Sequence, residues 1–367
     1  MIGLSSPSEI ISDNLLKHPG SFVWWYVDAC DHNGNGFVLI WSWGLPFLPG
    51  LASGDRNGKP TPAIDRPAIT LSIYEQHKQT FYLFEELKPE EARWEHRCSK
   101  EDRWTFGSNV LQYTNTEDSC VLRGTIHLDV PGQDTPLTGT FKCTGALRKE
   151  LQSNTPSDPN HLWSPISVQA NCQAEFKTDS YSFSVQNLRS YHDRNASNLP
   201  LHRLGIKEWS WGRTAFTSYE IIWYMLYPEE GDPIKMLLRI NKDGSSSCEN
   251  ISKAEQEGWR QSIYGLGHPK ILHLETANTQ LCVQYTSLID DGPFYQRYFV
   301  TATQNSAPSE QGYGFAELVV PDKVDPEWML WLIRMRVKQP QDNSIWLPLF
   351  SGPSYTRIRR LVSQLWT

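Results

Sequence analysis

Apolar residues recur along the chain in short runs, and glycine, proline, asparagine and aspartate punctuate them almost throughout. That spacing predicts strands and turns, with little helix. Runs at Phe22–Ala29 and Phe37–Trp43 flank the turn-rich Asp31–Gly36 segment and predict a hairpin. Further strands are expected at Ala68–Tyr74, Thr80–Glu85, Cys120–Leu128, Leu137–Thr144, Ala174–Phe176 and Tyr181–Leu188. The second half predicts Glu208–Arg213, Tyr219–Leu226, Lys235–Ile240, His273–Glu275, Leu281–Tyr285, Tyr295–Thr303 and Gly314–Val320. Only Lys88–His96, after Pro89, and the last ten residues read as helix. Asn154–Asn160 reads as a surface loop. Two β-rich halves, 1–200 and 201–367, are expected to meet near Asn195–Leu201. Closed barrels would remove exposed strand edges and can enclose one small ligand.

Composition narrows the picture. The 367 residues are 39% hydrophobic and 20% charged, which is globular. A net charge of −7 argues against a nucleic-acid partner. Arg357, Arg359 and Arg360 form the one basic cluster, and with Leu361, Val362 and Leu365 they read as an amphipathic terminal helix. Seven dispersed cysteines (30, 98, 120, 143, 172, 248 and 282) without a C-x-x-C pair suggest free thiols. The start of the sequence does not read as a signal peptide, and no apolar run has the length of a membrane span. These features predict a soluble, cytoplasmic protein.

Tryptophan and tyrosine, fifteen of each, are the unusual components. Trp24-Trp25-Tyr26 and Trp41-Ser42-Trp43 lie on facing arms of the hairpin, where alternation sends Trp24 and Tyr26 one way and Trp25 the other. Such rings can fill a core or line a pocket for an extended apolar ligand. Asp31–Gly36 superficially resembles a calcium loop, but Ser42 stands where the bidentate acid is required. Tyr191-His192-Asp193-Arg194-Asn195 concentrates a phenol, an imidazole, a carboxyl and a carboxamide. An acid beside apolar rings keeps its proton more tightly and can donate it. The same residues also suit a hydrogen-bonded corner where two domains meet. In Trp209-Ser210-Trp211-Gly212-Arg213, the indoles and Arg213 share one strand face. Arg213 can stack, bind a substrate oxygen, or pair with Asp193. No nucleophile elbow, H-E-x-x-H pair, Walker loop or dinucleotide fingerprint occurs.

Taken in order, Trp24-Trp25-Tyr26-Val27-Asp28, Tyr191-His192-Asp193-Arg194-Asn195 with Pro200-Leu201, Trp209-Ser210-Trp211-Gly212, and Pro293-Phe294-Tyr295-Gln296-Arg297 with Gly314 and Glu317 form a set. At these residues the chain resembles the carotenoid 1,2-hydratase (hydroxyneurosporene synthase) superfamily, and through it the fungal lipocalin-like Diels–Alderases. One departure stands out: Ala196-Ser197 replaces the W-G pair usual after the asparagine.

The resemblance implies an all-β fold of two consecutive lipocalin-like (calycin) β-barrel or β-sandwich domains, working without metal or organic cofactor. It implies Tyr191, His192, Asp193 and Asn195 as catalytic residues. Trp24, Tyr26, Trp41, Trp43, Trp209, Trp211, Arg213 and Tyr295 would hold an apolar polyene or terpenoid substrate. The altered corner favours a cyclase or pericyclase of Diels–Alder type in natural-product biosynthesis. Hydration of an isoprenoid double bond and non-catalytic carriage of an apolar ligand are the alternatives. The position of Tyr191–Asn195 at the expected junction points to a site between the two halves.

Overall fold

A computed structural model describes residues 2–9, 11–98, 100–116, 118–151, 160–324, 330–340 and 344–365. The expected Asn154–Asn160 loop lies outside these residues except for Asn160. Strands dominate, arranged in two sheets. The first begins at an edge formed by Gly352–Pro353 and runs through Lys78–Glu86, Pro67–Glu75, Gly36–Trp43, Phe22–Cys30, Tyr181–Ser197 and His161–Thr178. It continues through Leu137–Leu147, Ser119–Leu128, Asn109–Asn115 and Glu101–Phe106 to Ala92–Cys98, and Ile2–Leu4 joins the His161 strand in parallel. The second sheet runs from Ser246–Asn250 through Ile234–Asn241, Tyr219–Pro228, Ile206–Ala215, Ala307–Val319, Tyr295–Gln304, Gln280–Asp291 and Gly267–Glu275 to Lys253–Gln261.

Alternation along the strands fixes where the rings go. Trp25 and its cross-strand partner Trp41 point into the hollow of the first sheet with Trp43. There the Trp25 ring lies 5.1 Å from Trp94 and 4.7 Å from Trp104, joining the middle of the sheet to its far end. These contacts curl the sheet around its own core. The second sheet curls likewise around Trp223, Tyr298 and Val300. A third core forms between the outer faces of both sheets, where Trp24, Tyr26, Tyr191, Trp209, Trp211 and Tyr224 meet.

The expected Lys88–His96 helix is corrected. Pro89–Glu91 makes one 3₁₀ turn, and Ala92–Cys98 is a strand paired with Glu101–Phe106. The Trp94–Trp104 cross-strand pair and the packing of Trp94 on Trp25 outweigh the helical preference of Glu90-Glu91-Ala92. The terminal helix is present at Arg357–Leu365. Its preceding residues Gly352–Pro353 pair with Tyr82 and Phe81, so the chain end returns to the first sheet.

Buried ions lock the sheets together. Arg213 Nε donates to Asp28 Oδ2 at 3.0 Å, its Nη2 donates to Asp28 Oδ1, and its Nη1 donates to Glu220 Oε1 at 2.9 Å. Glu220 also accepts from the Gln169 backbone N–H at 3.1 Å. All three charged side chains are fully buried, so each depends on the others for compensation. Gly212 precedes this arginine because a Cβ there would collide with the Trp223 indole.

Candidate functional site

The Tyr181–Ser197 strand lies between Phe22–Cys30 and His161–Thr178, with Asp193 opposite Tyr26 on one side and Pro165 on the other. Alternation turns Tyr191, Asp193 and Asn195 toward the inter-sheet core and His192 away from it. A cavity opens there. Trp24, Tyr26, Trp163, Trp209, Trp211 and Tyr224 form much of its wall, and Asp193, Asn195 and Glu317 face it. A second compartment shares Ile40, Leu45, Phe47 and Tyr295 with the first. It is roofed by Leu332, Ile333, Arg336 and Val337 and floored by Tyr82 and Phe84. The compartments span about 530 and 750 Å³ including their open mouths.

Asp193 is the chemical centre of the first compartment. Its Oδ2 accepts from Trp163 Nε1 and from the Tyr191 hydroxyl, both at 2.8 Å. Asn195 Nδ2 donates to Oδ1 at 3.2 Å. No arginine, lysine or histidine pairs with it among the described residues. Burial pushes its pKa up to about 8, against the pull of the Trp163 and Tyr191 hydrogen bonds, with Glu317 and Asp28 adding to the rise. The carboxyl therefore keeps its proton at neutral pH. Because Oδ2 already serves two donors, Oδ1 is the oxygen left to carry it.

His161 extends this chain. Its Nε2 is 3.1 Å from Asn195 Oδ1, and burial lowers its pKa to about 4, so the ring is neutral. The imidazole edges onto Trp209 at 5.2 Å, which fixes the far end of the Asn195 amide. Among the described residues, the polar groups on this cavity's lining without a protein partner include Trp209 Nε1, Trp211 Nε1 and the hydroxyls of Tyr224 and Tyr295. Buried donors of that kind are costly unless something in the cavity accepts from them. At the junction of the compartments Arg297 pairs with Glu317 at 2.8 Å and donates to the Tyr74 hydroxyl at 2.7 Å.

The structure thus gathers Trp24, Tyr26, Asp193, Asn195, Trp209, Trp211 and Tyr295 around one cavity, with Tyr191 directly behind Asp193. Four expected residues lie elsewhere. Trp41 and Trp43 fill the first sheet's own core, because antiparallel pairing puts them on the Trp25 face. His192 faces the same core, where its Nδ1 donates to the Tyr26 carbonyl at 2.8 Å and burial lowers its pKa to about 4. Arg213 reaches Asp28 and Glu220 rather than Asp193. Sequence reasoning missed His161, Trp163, Tyr224 and the compartment around Arg336. Trp163 could have been found from the alternation of His161, Trp163 and Pro165, but only with the knowledge that this strand borders Asn195.

A family model described as carotenoid hydratase CrtC matches residues 98–345. The hydroxyneurosporene dehydrogenase of Chlorobaculum tepidum is 25% identical over 348 residues, covering 88% of each chain. The acyclic carotenoid 1,2-hydratase of Rubrivivax gelatinosus is 23% identical over 287 residues, 77% of this chain and 65% of that protein. The chain thus spans slightly under two thirds of the length of this second relative. Among solved structures, a candidate AttH from Nitrosomonas europaea superposes with a TM-score of 0.56 at 13% identity, over 86% of this chain and 99% of that one. That likeness concerns the fold, an all-β lipocalin-like pair of curled sheets. Since the family model spans well over half of its length, the chain belongs to the carotenoid hydratase CrtC family.

Proposed function

We propose that this protein is an acid catalyst that adds water across a double bond of an apolar, isoprenoid-type substrate held between the two sheets. The observation that carries the reading is Asp193, a neutral carboxylic acid in a ring-lined cavity with three hydrogen-bond donors already in place. Proton transfer from Oδ1 to one alkene carbon leaves a carboxylate and a carbocation. The carboxylate is met by the Trp163, Tyr191 and Asn195 donors, whose bonds strengthen as negative charge develops. The indole faces of Trp24, Trp209 and Trp211 shelter the cation. Water adds to the cationic carbon, and the proton it sheds restores Asp193. The names of the two relatives, a carotenoid hydratase and a hydroxyneurosporene enzyme, support the substrate class.

A second reading has its own support. The unpartnered Trp209, Trp211, Tyr224 and Tyr295 donors suit a substrate carrying a carbonyl. Polarised by them, a polyene with an electron-poor partner would close a ring instead of taking up water. Mass spectrometry of products formed in ¹⁸O-labelled water, with acyclic and carbonyl-bearing polyenes as substrates, separates the two. A product heavier by one labelled water is expected. An isobaric product without solvent oxygen would replace hydration by cyclisation, and retention of unchanged ligand would overturn both in favour of a carrier.

A further inference from the structure

The last stretch of the described chain differs from the rest. Of the nine exposed large apolar side chains among the described residues, six fall between 331 and 362: Trp331, Ile345, Trp346, Tyr355, Ile358 and Val362. Between 330 and 365 the sequence has six arginines and lysines and a single acid, Asp342, in a protein of net charge −7. Not all of those cations reach the surface. Arg336 pairs with Asp290, Lys338 with Glu85, and Arg360 is buried against the carbonyls of Pro348, Ser351 and Pro353. Arg334 and Arg359 are exposed, and Arg357 is half-buried.

The terminal helix shows the arrangement most clearly. Arg360 anchors its inner side, whereas Ile358 (73% exposed) and Val362 (47% exposed), four positions apart, share an outer stripe next to Arg359. Exposed apolar residues edged by arginine are the pattern of a helix that lies in a membrane interface. No helix among the described residues is long and apolar enough to cross a membrane, so contact here would be from one side. The same segment also touches the cavity. Trp331 is 59% exposed, and the next two residues, Leu332 and Ile333, roof the second compartment.

We propose that the exposed side chains of 330–340 and 344–362 dock on the surface of an anionic phospholipid bilayer, with Ile358 and Val362 entering the interface and Arg334 and Arg359 meeting lipid phosphates. Apolar cavity wall and docking face are then neighbours, which gives a membrane-dissolved substrate a short path to the second compartment. That last consequence rests on the isoprenoid reading above; the docking itself does not. The acidic remainder of the molecule is repelled by the same surface, so it helps to orient the protein.

Flotation of the full-length protein with vesicles tests this without any substrate. Vesicles of phosphatidylcholine mixed with phosphatidylglycerol should carry the protein, and pure phosphatidylcholine vesicles should carry much less. The pair Ile358→Glu and Val362→Glu should abolish flotation. Arg334→Gln and Arg359→Gln, both at exposed positions that leave the core untouched, should each lower the partition coefficient roughly fivefold. Circular dichroism confirms that each variant folds. Equal binding to neutral and anionic vesicles, no flotation at all, or flotation unaffected by these four changes would overturn the proposal. A variant-sensitive dimer in light scattering without flotation would reassign the face to a contact between copies. Failure here leaves the labelled-water result untouched, so the two readings fail separately.

Discussion

Two buried aspartates sit on neighbouring strands and have opposite company. Asp28 faces a guanidinium; Asp193 faces an indole, a phenol and an amide. Burial raises both, yet Asp28 only to about 6 because Arg213 favours its charge, and Asp193 to about 8 with no cation beside it. The first is thereby a structural anion that joins the sheets. The second is a proton carrier poised at a cavity. What separates them is the partner, since residue type and burial are the same.

The sharpest way to break this comparison is to remove the cation. Arg213→Met leaves Asp28 and Glu220 buried together without compensation, and should destabilise the protein by about 3–5 kcal/mol in urea unfolding. Asp193→Asn should do the reverse. It replaces a neutral acid by a neutral isostere and removes the cost of protonating that acid on folding, so the melting temperature at neutral pH should rise while kcat falls by about 10³-fold. A ring-closing route that relies on shape and on the free donors would instead lose only a modest factor, and the kcat of this variant decides the point.

Truncating one indole at the cavity and one in the first sheet's own core gives the next largest effect. Trp209→Ala and Trp41→Ala should each cost about 3–5 kcal/mol of stability, being truncations of buried indoles. Only Trp209→Ala should also change KM or the product distribution of the folded enzyme, because Trp41 belongs to the first sheet's own core.

The pH dependence follows from the direction of both shifts. A carboxyl whose pKa is raised on folding binds more protons in the native state than in the unfolded one between the two values. Stability therefore falls as pH rises through that window. For Asp193 the window runs from its ordinary 3.8 to about 8, and for Asp28 from 3.8 to about 6. Thermal unfolding across this range should show Asp193→Asn gaining on the parent protein up to about pH 8. The parent's kcat/KM should decline above that pH as the acid form is lost.

The smallest change expected is at the end of the hydrogen-bond chain. His161→Phe removes the group that fixes the Asn195 amide but keeps the ring that packs on Trp209. It should lower kcat about tenfold and shift the alkaline limb of the pH profile, a readout that a purely structural role would not move.

Much of this could be read along the chain. The period of two sent Trp24 and Tyr26 to one face and Trp25 to the other, and it placed Tyr191 and Asp193 side by side. The ordered motifs pointed to the fold, and their structural meaning is partly that they complete one another. The aspartate that ends Trp24–Asp28 finds the arginine after Trp209–Gly212, and Arg297 finds Glu317. His161 and Trp163 stayed hidden because neither belongs to a motif. Their importance comes from antiparallel pairing with Ser197 and Asn195, more than thirty residues downstream. Ala92–Cys98 misled for a related reason, since a locally helical composition was overruled by the cross-strand partner of Trp94.

Local chemistry thus determined most of the strands, the turn at Asp31–Gly36, and which side chains share a strand face, because those depend on neighbours in sequence and on a fixed backbone period. The tertiary structure alone decided which face meets the other sheet, which aspartate receives the arginine, and that a cavity opens beside the one left without it. Those outcomes depend on desolvation and charge compensation between segments far apart in the chain.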